Sequence, residues 1–320
     1  VKDTLSLHDA LPISFYEDLL ATGMRDGRHY LIPVSFNLPL IYFRGEVPDV
    51  STPMIITPEE MQARGEGFNA QNDERYTRIA YSPVWNPAFL YQYLRLLGFT
   101  ISEGAEGQPE WSFETVVAGI TAAREWIELH GGGEADAAFQ EKYLYDPQVQ
   151  LVRDGRVAYG YDVSDRFLGL SDARREDLGF RWLGSDETIH VHERIVYAGI
   201  PQGAAGRDGA ERFLVDLFSV EQQVELIEST LRKRVDVFGV AGGFSSLWRL
   251  NETHLAEYYP ELRGRIPPAA QLRFPPASPR HWGELITNVV EPWLVREATG
   301  VPQSRELEAS VQAWLLQQED

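Results

Sequence analysis

The 320-residue sequence contains no cysteine. This absence excludes disulfide bonds, thiolate zinc sites, a cysteine nucleophile and a lipid-bearing cysteine within these residues. No stretch approaches the roughly 18 consecutive apolar residues of a membrane-spanning helix, and the first residues lack the basic and apolar regions of a signal peptide. If the protein is exported, we therefore expect its export signal to lie outside the sequence.

Positive charge is scarce. The chain has 29 lysines and arginines against 48 aspartates and glutamates, which gives a formal net charge of -19. Such a chain repels a phosphate backbone overall, so we expect no nucleic-acid partner. The composition, 43% hydrophobic and 24% charged, is typical of a folded protein, and the length suffices for two packed lobes.

Capping signals indicate where helices begin. The predicted N-terminal caps are Asn86, Ser112, Asp208, Ser219, Ser278 and Ser304. Asp208 with Glu211 and Ser219 with Gln222 form two successive capping boxes. Gly98 is expected to end the first of these helices, and Pro292 to kink the helix that begins near Ser278.

Short apolar runs alternate with these helices and predict the strands. The predicted strands cover residues 28–33, 40–43, 156–163, 180–183 and 195–200. We find no internal repeat, which sets solenoids and propellers aside. The alternation of strands and helices predicts an α/β fold.

Three passages resemble one known family. They are YLIPVSFNLPLIYF at 30–43, RDGRVAYGYDVSDRF at 153–167 and YAGIPQGAAGRDGAERFLVDLFSVEQQ at 197–223. Their order is similar to that in the family-1 extracellular solute-binding proteins, the maltose-binding type. Phe43-Arg44 departs from the usual Tyr-Asn, and Tyr161-Asp162 stands where a tryptophan-bearing loop is common.

This resemblance implies the periplasmic-binding-protein type II fold, with two α/β lobes joined by crossover hinges. It begins in the middle of the family's pattern, so we expect an incomplete first lobe, and we expect residues 1–14 to be a non-native or disordered leader. The expected first lobe comprises 15–36 and 200–243. The expected second lobe comprises 37–199 and 244–320.

The resemblance also implies a function. A protein of this family receives a small solute, here expected to be a sugar or oligosaccharide, and delivers it to the membrane permease of an ABC importer. We expect a monomer without a cofactor, periplasmic or extracellular, and held as a lipoprotein if a preceding segment carries the anchor motif. A receptor for a non-sugar solute is one alternative.

A sugar needs aromatic platforms for its apolar faces and carboxylates or amides for its hydroxyls. The candidate ligand-binding residues at the implied lobe-facing loops are Asn37, Trp85, Asp162, Asp165, Phe244 and Trp282. Five of them have a structural alternative. Asn37 suits a turn, both tryptophans suit core packing, and Asp165 suits a helix cap. Phe244 follows two glycines that suit a hinge or a turn.

The strongest alternative is an α/β enzyme, for example one resembling a glycoside hydrolase. The sequence lacks the GxSxG, Walker A and GxGxxG motifs. His190 and His192, followed by Glu193, could present two imidazoles on one face of a strand for a metal, although no third ligand is evident. The adjacent Tyr258 and Tyr259 superficially resemble the tyrosine pair of iron receptors. We predict neither a catalytic nor a metal site.

Overall fold

The structure is a computed structural model that describes residues 15–25, 27–45, 53–73, 75–104, 108–276, 281–301 and 306–318. The predicted leader and the predicted caps Ser278 and Ser304 lie outside these ranges. Over the ranges described, no helix combines the length and apolar character that crossing a membrane requires.

The strands are short. In chain order they are β1 Met24–Arg25, β2 Arg28–His29, β3 Ile32–Phe36, β4 Pro39–Arg44, β5 Ile55–Ile56, β6 Ala70–Asn72, β7 Arg75–Arg78, β8 Ile101–Glu103, β9 Pro109–Trp111, β10 Tyr159–Val163, β11 Leu178–Leu183, β12 Ile189–His190, β13 Val196–Ala198, β14 Phe244–Ser245 and β15 Leu272–Arg273.

The helices include several long amphipathic ones. They are α1 Glu17–Ala21, α2 Pro58–Gly65, α3 Pro87–Leu96, α4 Phe113–Glu128, α5 Gly132–Tyr143, α6 Gln148–Arg153, α7 Ser164–Leu168, α8 Asp172–Arg175, α9 Arg207–Leu217, α10 Val220–Arg232, α11 Trp248–Leu250, α12 Ala256–Tyr258, α13 Trp282–Leu285, α14 Glu291–Ala298 and α15 Leu307–Leu316. Two π-helical turns, Asn251–Leu255 and Ile286–Val290, continue neighbouring helices, and Pro260–Leu262 and Ala269–Gln271 are 3-10 turns.

Two sheets organise the chain. The larger has the strand order β10-β4-β11-β5, and the smaller has the order β13-β3-β14. β3 and β4 follow each other in sequence but belong to different sheets, so the chain crosses between the sheets at Asn37 and Leu38. This arrangement makes the protein an α/β protein with two sheet-centred parts.

Alternation along β4 places apolar side chains on both faces of the larger sheet. Leu40 and Tyr42 belong to one apolar cluster, whereas Ile41 belongs to the other. Helices α3 and α4 cover the Ile41 face, and α6 and α7 contribute to the opposite cluster. Both faces are therefore buried.

Gly160 in β10 is required by packing. It pairs with Tyr42, and a Cβ added at Gly160 would lie 2.1 Å from the Tyr42 ring. That ring in turn stacks on Phe167 at a centroid distance of 5.4 Å. The large residues of this strand, Tyr159 and Tyr161, thus pack on one face of the sheet. On the other face, the ring of Tyr42 fills the space that Gly160 leaves open.

The capping predictions hold for three helices. The side chains of Asn86, Ser112 and Ser219 accept hydrogen bonds from the first-turn N–H groups of α3, α4 and α10. The predicted Asp208 cap is wrong, because α9 begins at Arg207 with Gly206 as its cap. The N–H groups at the start of α9 thus have no side-chain cap, and Asp208 lies inside the first turn.

Pro292 lies at the start of α14, directly after the π-helical turn Ile286–Val290. Proline has no N–H to donate, and the wider turn before it removes the need for a regular hydrogen bond at that point. The predicted irregularity is therefore a π-helical turn.

The strand predictions are right in place and wrong in length. The predicted strand 28–33 is broken, since β2 ends at His29 and β3 begins at Ile32. β13 and β14 both pair with β3 in the smaller sheet. Sheet membership thus extends a few residues beyond the predicted lobe boundaries at 199/200 and 243/244, and the division of the chain into lobes stays a prediction.

Candidate functional site

Three chain segments meet at Asn37, where the two sheets join. Its Nδ2 donates to the carbonyl of Gly242 at 2.8 Å, and its Oδ1 accepts from the hydroxyl of Ser164 at 2.6 Å. Its backbone carbonyl accepts from the N–H of His192 at 2.9 Å. This buried asparagine therefore joins the crossover segments, and both polar atoms of its amide have partners inside the protein.

A cavity of about 220 Å³ lies beside this junction and is called the hinge cavity below. Its walls come from the first part of α3, the end of β10, the segment after β12, and the helical run from α13 to α14. Six charged residues line it: Arg95, Asp162, Arg166, Glu193, Arg194 and Glu291. The equal number of carboxyl and guanidinium groups gives it both strong acceptors and strong donors.

Glu193 is the centre of this cluster. Its Oε1 accepts from the hydroxyl of Tyr91 at 2.6 Å, and its Oε2 accepts from the indole N–H of Trp282 at 3.2 Å. The guanidinium of Arg95 lies 3.6 Å from Oε1. One carboxylate thus holds together α3, α13 and the segment that returns to the smaller sheet.

Helix α3 binds the segment 190–193 through side chains on one of its faces. Tyr91 and Arg95 are four residues apart and therefore neighbours on the helix surface. Arg95 donates to the carbonyl of Val191 at 3.0 Å, and Gln92 donates to the carbonyl of His190 at 3.0 Å. The Asn86 cap that begins α3 therefore also sets the position of the polar wall.

Burial changes the protonation behaviour of the cavity. It raises the pKa of Asp162 from its ordinary 3.8 to about 6, against the opposing effects of the Val163 N–H and Arg166. It likewise raises the pKa of Glu291 from 4.5 to about 7, although Arg194 opposes the rise. Both carboxyl groups can consequently exchange a proton near neutral pH.

The imidazole of His192 behaves in the opposite way. Burial, together with Arg194 and Arg95, lowers its pKa from 6.5 to about 3. Its Nδ1 accepts a hydrogen bond from the backbone N–H of Arg194 at 3.2 Å. His192 is therefore neutral, and it supplies the cavity wall with a polar group without a charge.

A second, more open depression of about 700 Å³ continues from the hinge cavity. The two share Glu193, Arg194, Gly283 and Thr287 in their linings. Trp282 lines the open part, which places an indole ring beside the charged cluster. The site thus has a narrow polar end and a wider end with an aromatic side chain.

The structure brings two of the six predicted site residues to this cleft. Asp162 lines the hinge cavity, and Trp282 lines the open depression. Asn37 lies beside them but uses its amide within the protein. The binding role of each stays a prediction.

Trp85 lies next to the cleft residue Asn86 and is held on two sides. Its ring stacks on Phe139 at 5.3 Å with an interplanar angle of 9°, and its N–H donates to Asp136 at 3.0 Å. The same buried carboxylate accepts from the imidazole of His130 at 3.1 Å. A sugar platform at Trp85 could therefore not use the ring face that stacks on Phe139.

Phe244 and Asp165 lie apart from the cavity lining. Phe244 is 1% exposed and stacks on Phe36 at 5.7 Å in the core. Asp165 lies in the first turn of α7, and its Oδ1 is buried without a hydrogen-bond partner in the described part of the chain. Phe244 therefore belongs to the core, whereas Asp165 does not cap α7, because Val163 is the cap of that helix and no side chain caps it.

The metal-binding alternatives find no support in this geometry. In the ranges that the structure describes, no three histidine, aspartate or glutamate side chains cluster as metal ligands. The hydroxyl of Tyr258 donates to Glu228, whereas that of Tyr259 accepts from the N–H of Gly239. The two tyrosines therefore serve separate contacts.

Sequence reasoning missed most of the polar wall: Tyr91, Arg95, Arg194 and Glu291. Two signals were present. Arg95 sits in a helix whose residues 89–95 are all buried, and a buried arginine needs an acceptor. Glu193 closes the His-x-His-Glu motif, which was considered only as a metal site.

No protein-family model matches the chain, and no curated protein matches it in sequence. Solved structures do match. The maltose/maltodextrin-binding domain MalE of Bdellovibrio bacteriovorus, bound to maltotriose, is 15% identical, with 98% of this chain and 80% of that chain covered and a TM-score of 0.56.

Two further solved structures are similar to this chain over most of its length. A sugar transporter from Rhizobium etli in an open conformation is 12% identical, with 93% of this chain and 74% of that chain covered and a TM-score of 0.62. An ABC transporter solute-binding protein from Agrobacterium radiobacter in complex with ribitol is 16% identical, covering 98% and 79%, with a TM-score of 0.55. The chain has the periplasmic-binding-protein type II fold of these proteins, as the sequence resemblance implied.

Proposed function

We propose that this protein is the solute-binding receptor of an ABC importer and that it binds a sugar or a related polyol in the hinge cavity. The observation that carries the proposal is the mixed set of carboxyl and guanidinium groups in a cavity at the crossover hinge. Hydroxyl groups both donate and accept, so a ligand rich in them can pair with both kinds of group.

The dimensions favour a small bound unit. At about 220 Å³, the hinge cavity is below the roughly 300–1,000 Å³ of common ligand pockets, so it suits one sugar ring or a linear polyol. The open depression beside it can take further sugar units, with the indole of Trp282 as an apolar surface. Solved relatives of the fold bind both kinds of molecule, as the maltotriose and ribitol complexes show for those proteins.

The cellular role follows from the same likeness. Because the matching structures are importer receptors and sugar-binding proteins, we infer an extracytoplasmic location and a membrane permease as partner. Closure of two lobes over a ligand is a general way to bury a small polar molecule. The hydrogen bonds of Asn37 join the segments about which such closure would turn.

Calorimetric titration of the full chain with ribitol, glucose, maltose and maltotriose tests the proposal. We expect at least one of these ligands to bind and to raise the melting temperature. Asp162→Asn should weaken binding about fivefold or more, since a carboxylate accepts stronger hydrogen bonds than an amide. The control Asp172→Asn changes an aspartate whose side chain is 99% exposed and should bind normally.

A carbohydrate-cleaving enzyme is the alternative that one observation favours. Asp162 and Glu291 both have raised pKa values and line the same cavity, and glycoside hydrolysis uses two carboxyl groups. Chromatography of maltotriose incubated with the protein separates the two functions. Recovery of the intact sugar supports the receptor, whereas release of glucose or maltose overturns it.

A further inference from the structure

A second cavity, far from the hinge, gathers four arginines. It measures about 630 Å³ and contains Arg44, Arg64, Arg78 and Arg181 in its lining. In the described part of the chain, no aspartate or glutamate lines it. Such a concentration of positive charge is unusual in a protein with a net charge of -19, and we call this feature the arginine cavity.

The arginine cavity lies at the opposite end of the larger sheet from the hinge. β10 and β4 run antiparallel, with Val163 opposite Pro39 near the hinge and Tyr159 opposite Phe43 at the far end. Five residue steps along β4, at about 3.3 Å each, put Arg44 roughly 16 Å from Pro39. The arginine cavity is therefore a separate site.

Its positive charge is only partly compensated. Glu60 accepts from Arg64 at 2.7 Å and from Arg181 at 2.5 Å, so one carboxylate serves two guanidinium groups. Arg181 is buried and also donates to backbone carbonyls, which makes it part of the frame. Neither Arg44 nor Arg78 has an ion-pair partner among the described residues, and both are exposed.

The remaining walls are apolar or aromatic. Phe43, Phe68 and Tyr159 line the cavity, together with Val157 and Ile56. The Phe68 ring lies 5.2 Å from the guanidinium carbon of Arg78, which orients that cation at the cavity. The site thus combines two cations that have no ion-pair partner in the described ranges with an apolar surface, and a hydrated inorganic ion would use only the cations.

We propose that the arginine cavity binds an organic phosphate, with its oxyanion on Arg44 and Arg78 and its apolar part against the aromatic wall. Guanidinium groups form paired hydrogen bonds with phosphate oxygens. A phosphate monoester carries about -1.5 to -2 charges at neutral pH, which matches two cations better than a carboxylate does. A soluble phosphate monoester and an anionic phospholipid, whose phosphodiester carries a single negative charge, both offer phosphate oxygens to the guanidinium groups.

Calorimetric titration of the full chain with phenyl phosphate tests the site. The double substitution Arg44→Gln with Arg78→Gln should weaken binding at least about tenfold, because it removes two charge-assisted contacts. The matched control, Arg212→Gln with Arg263→Gln, removes two exposed arginines elsewhere and should bind like the unchanged protein. Inorganic phosphate should bind more weakly than phenyl phosphate, because it cannot use the apolar wall.

Flotation with phosphatidylcholine vesicles, with and without phosphatidylglycerol, distinguishes the two sources of the ligand. Loss of phosphatidylglycerol-dependent flotation in the Arg44/Arg78 variant assigns the site to a lipid headgroup. Binding of phenyl phosphate without flotation assigns it to a soluble ester. The proposal is overturned if neither probe binds, if the two double variants behave alike, or if inorganic phosphate binds as tightly as phenyl phosphate.

Discussion

We expect Glu193 to contribute more to the free energy of unfolding than any exposed glutamate. The substitution Glu193→Ala removes the acceptor of Tyr91 and Trp282 and separates Arg95 from its carboxylate. The side chains of Arg95 and Glu193 are 8% and 12% exposed, so the lost ion pair is a largely buried one. Removing one partner of such a pair costs about 3–5 kcal/mol.

The surroundings reduce this figure. Arg95 keeps its hydrogen bonds to Gln92 and Val191, and the hinge cavity admits water to the vacated place. We therefore expect Glu193→Ala to lower the free energy of unfolding by roughly 2–4 kcal/mol. Glu193→Gln loses the charge, but its amide oxygen can still accept from Trp282 and its amide nitrogen can donate to the hydroxyl oxygen of Tyr91, so it should cost about half as much.

Urea unfolding followed by tryptophan fluorescence measures these differences, provided that the slope of the transition stays constant. Glu221→Ala, at an exposed position in the first turn of α10, is the matched control and should cost less than about 0.5 kcal/mol. If Glu193→Ala costs no more than this control, the carboxylate does not hold the cleft together. If Glu193→Gln costs as much as Glu193→Ala, the ion pair rather than the hydrogen bonds dominates.

Four further substitutions test the cleft. Burial raises the pKa of Glu291 from 4.5 to about 7, so its ionisation lowers the stability of the folded protein as the pH rises through that interval. In urea titrations, Glu291→Gln should therefore be more stable than the unchanged protein above pH 7, by at most about 3 kcal/mol, and equally stable below pH 4.5. The lowered pKa of His192 has the opposite effect on the pH dependence of stability. The free energy of unfolding should fall as the pH drops from 6.5 towards 3, and His192→Asn should make this fall smaller. Asn37→Ala should lower the free energy of unfolding by about 2 kcal/mol, since it removes the amide that bonds to Ser164 and Gly242. A loss of sugar affinity at unchanged stability would instead indicate that Asn37 contacts the ligand. Trp282→Phe should weaken sugar binding severalfold in calorimetry, while Trp248→Phe, outside the cleft, should not.

Local signals in the sequence were enough for much of the fold. A cap such as Asn86 acts within one turn, and the apolar stripe behind it repeats with the helical period, so α3 could be predicted from about twelve residues. The same local reasoning failed for Asp208, because the glycine two residues earlier begins the helix there. The break between β2 and β3 was missed since it depends on which sheet each strand joins.

The site was predictable only where a residue's place follows from its own strand or helix. Asp162 is the last residue but one of β10 and Trp282 begins α13, and both positions could be inferred from the order of segments. Phe244 has the same kind of position, but pairing with β3 turned its side chain into the core.

By itself, then, the sequence determined the elements, the α/β class and the resemblance to a two-lobed receptor, because capping, periodicity and segment order are written within short stretches. Only the tertiary structure decided which polar side chains meet. Glu193 and Tyr91 are about a hundred positions apart and are joined by a single hydrogen bond, and Arg44 and Arg78 share a cavity although they belong to different sheets. Such contacts depend on how the chain crosses between the two sheets at Asn37 and again near His192, and no pattern within a short stretch of sequence specifies these crossings.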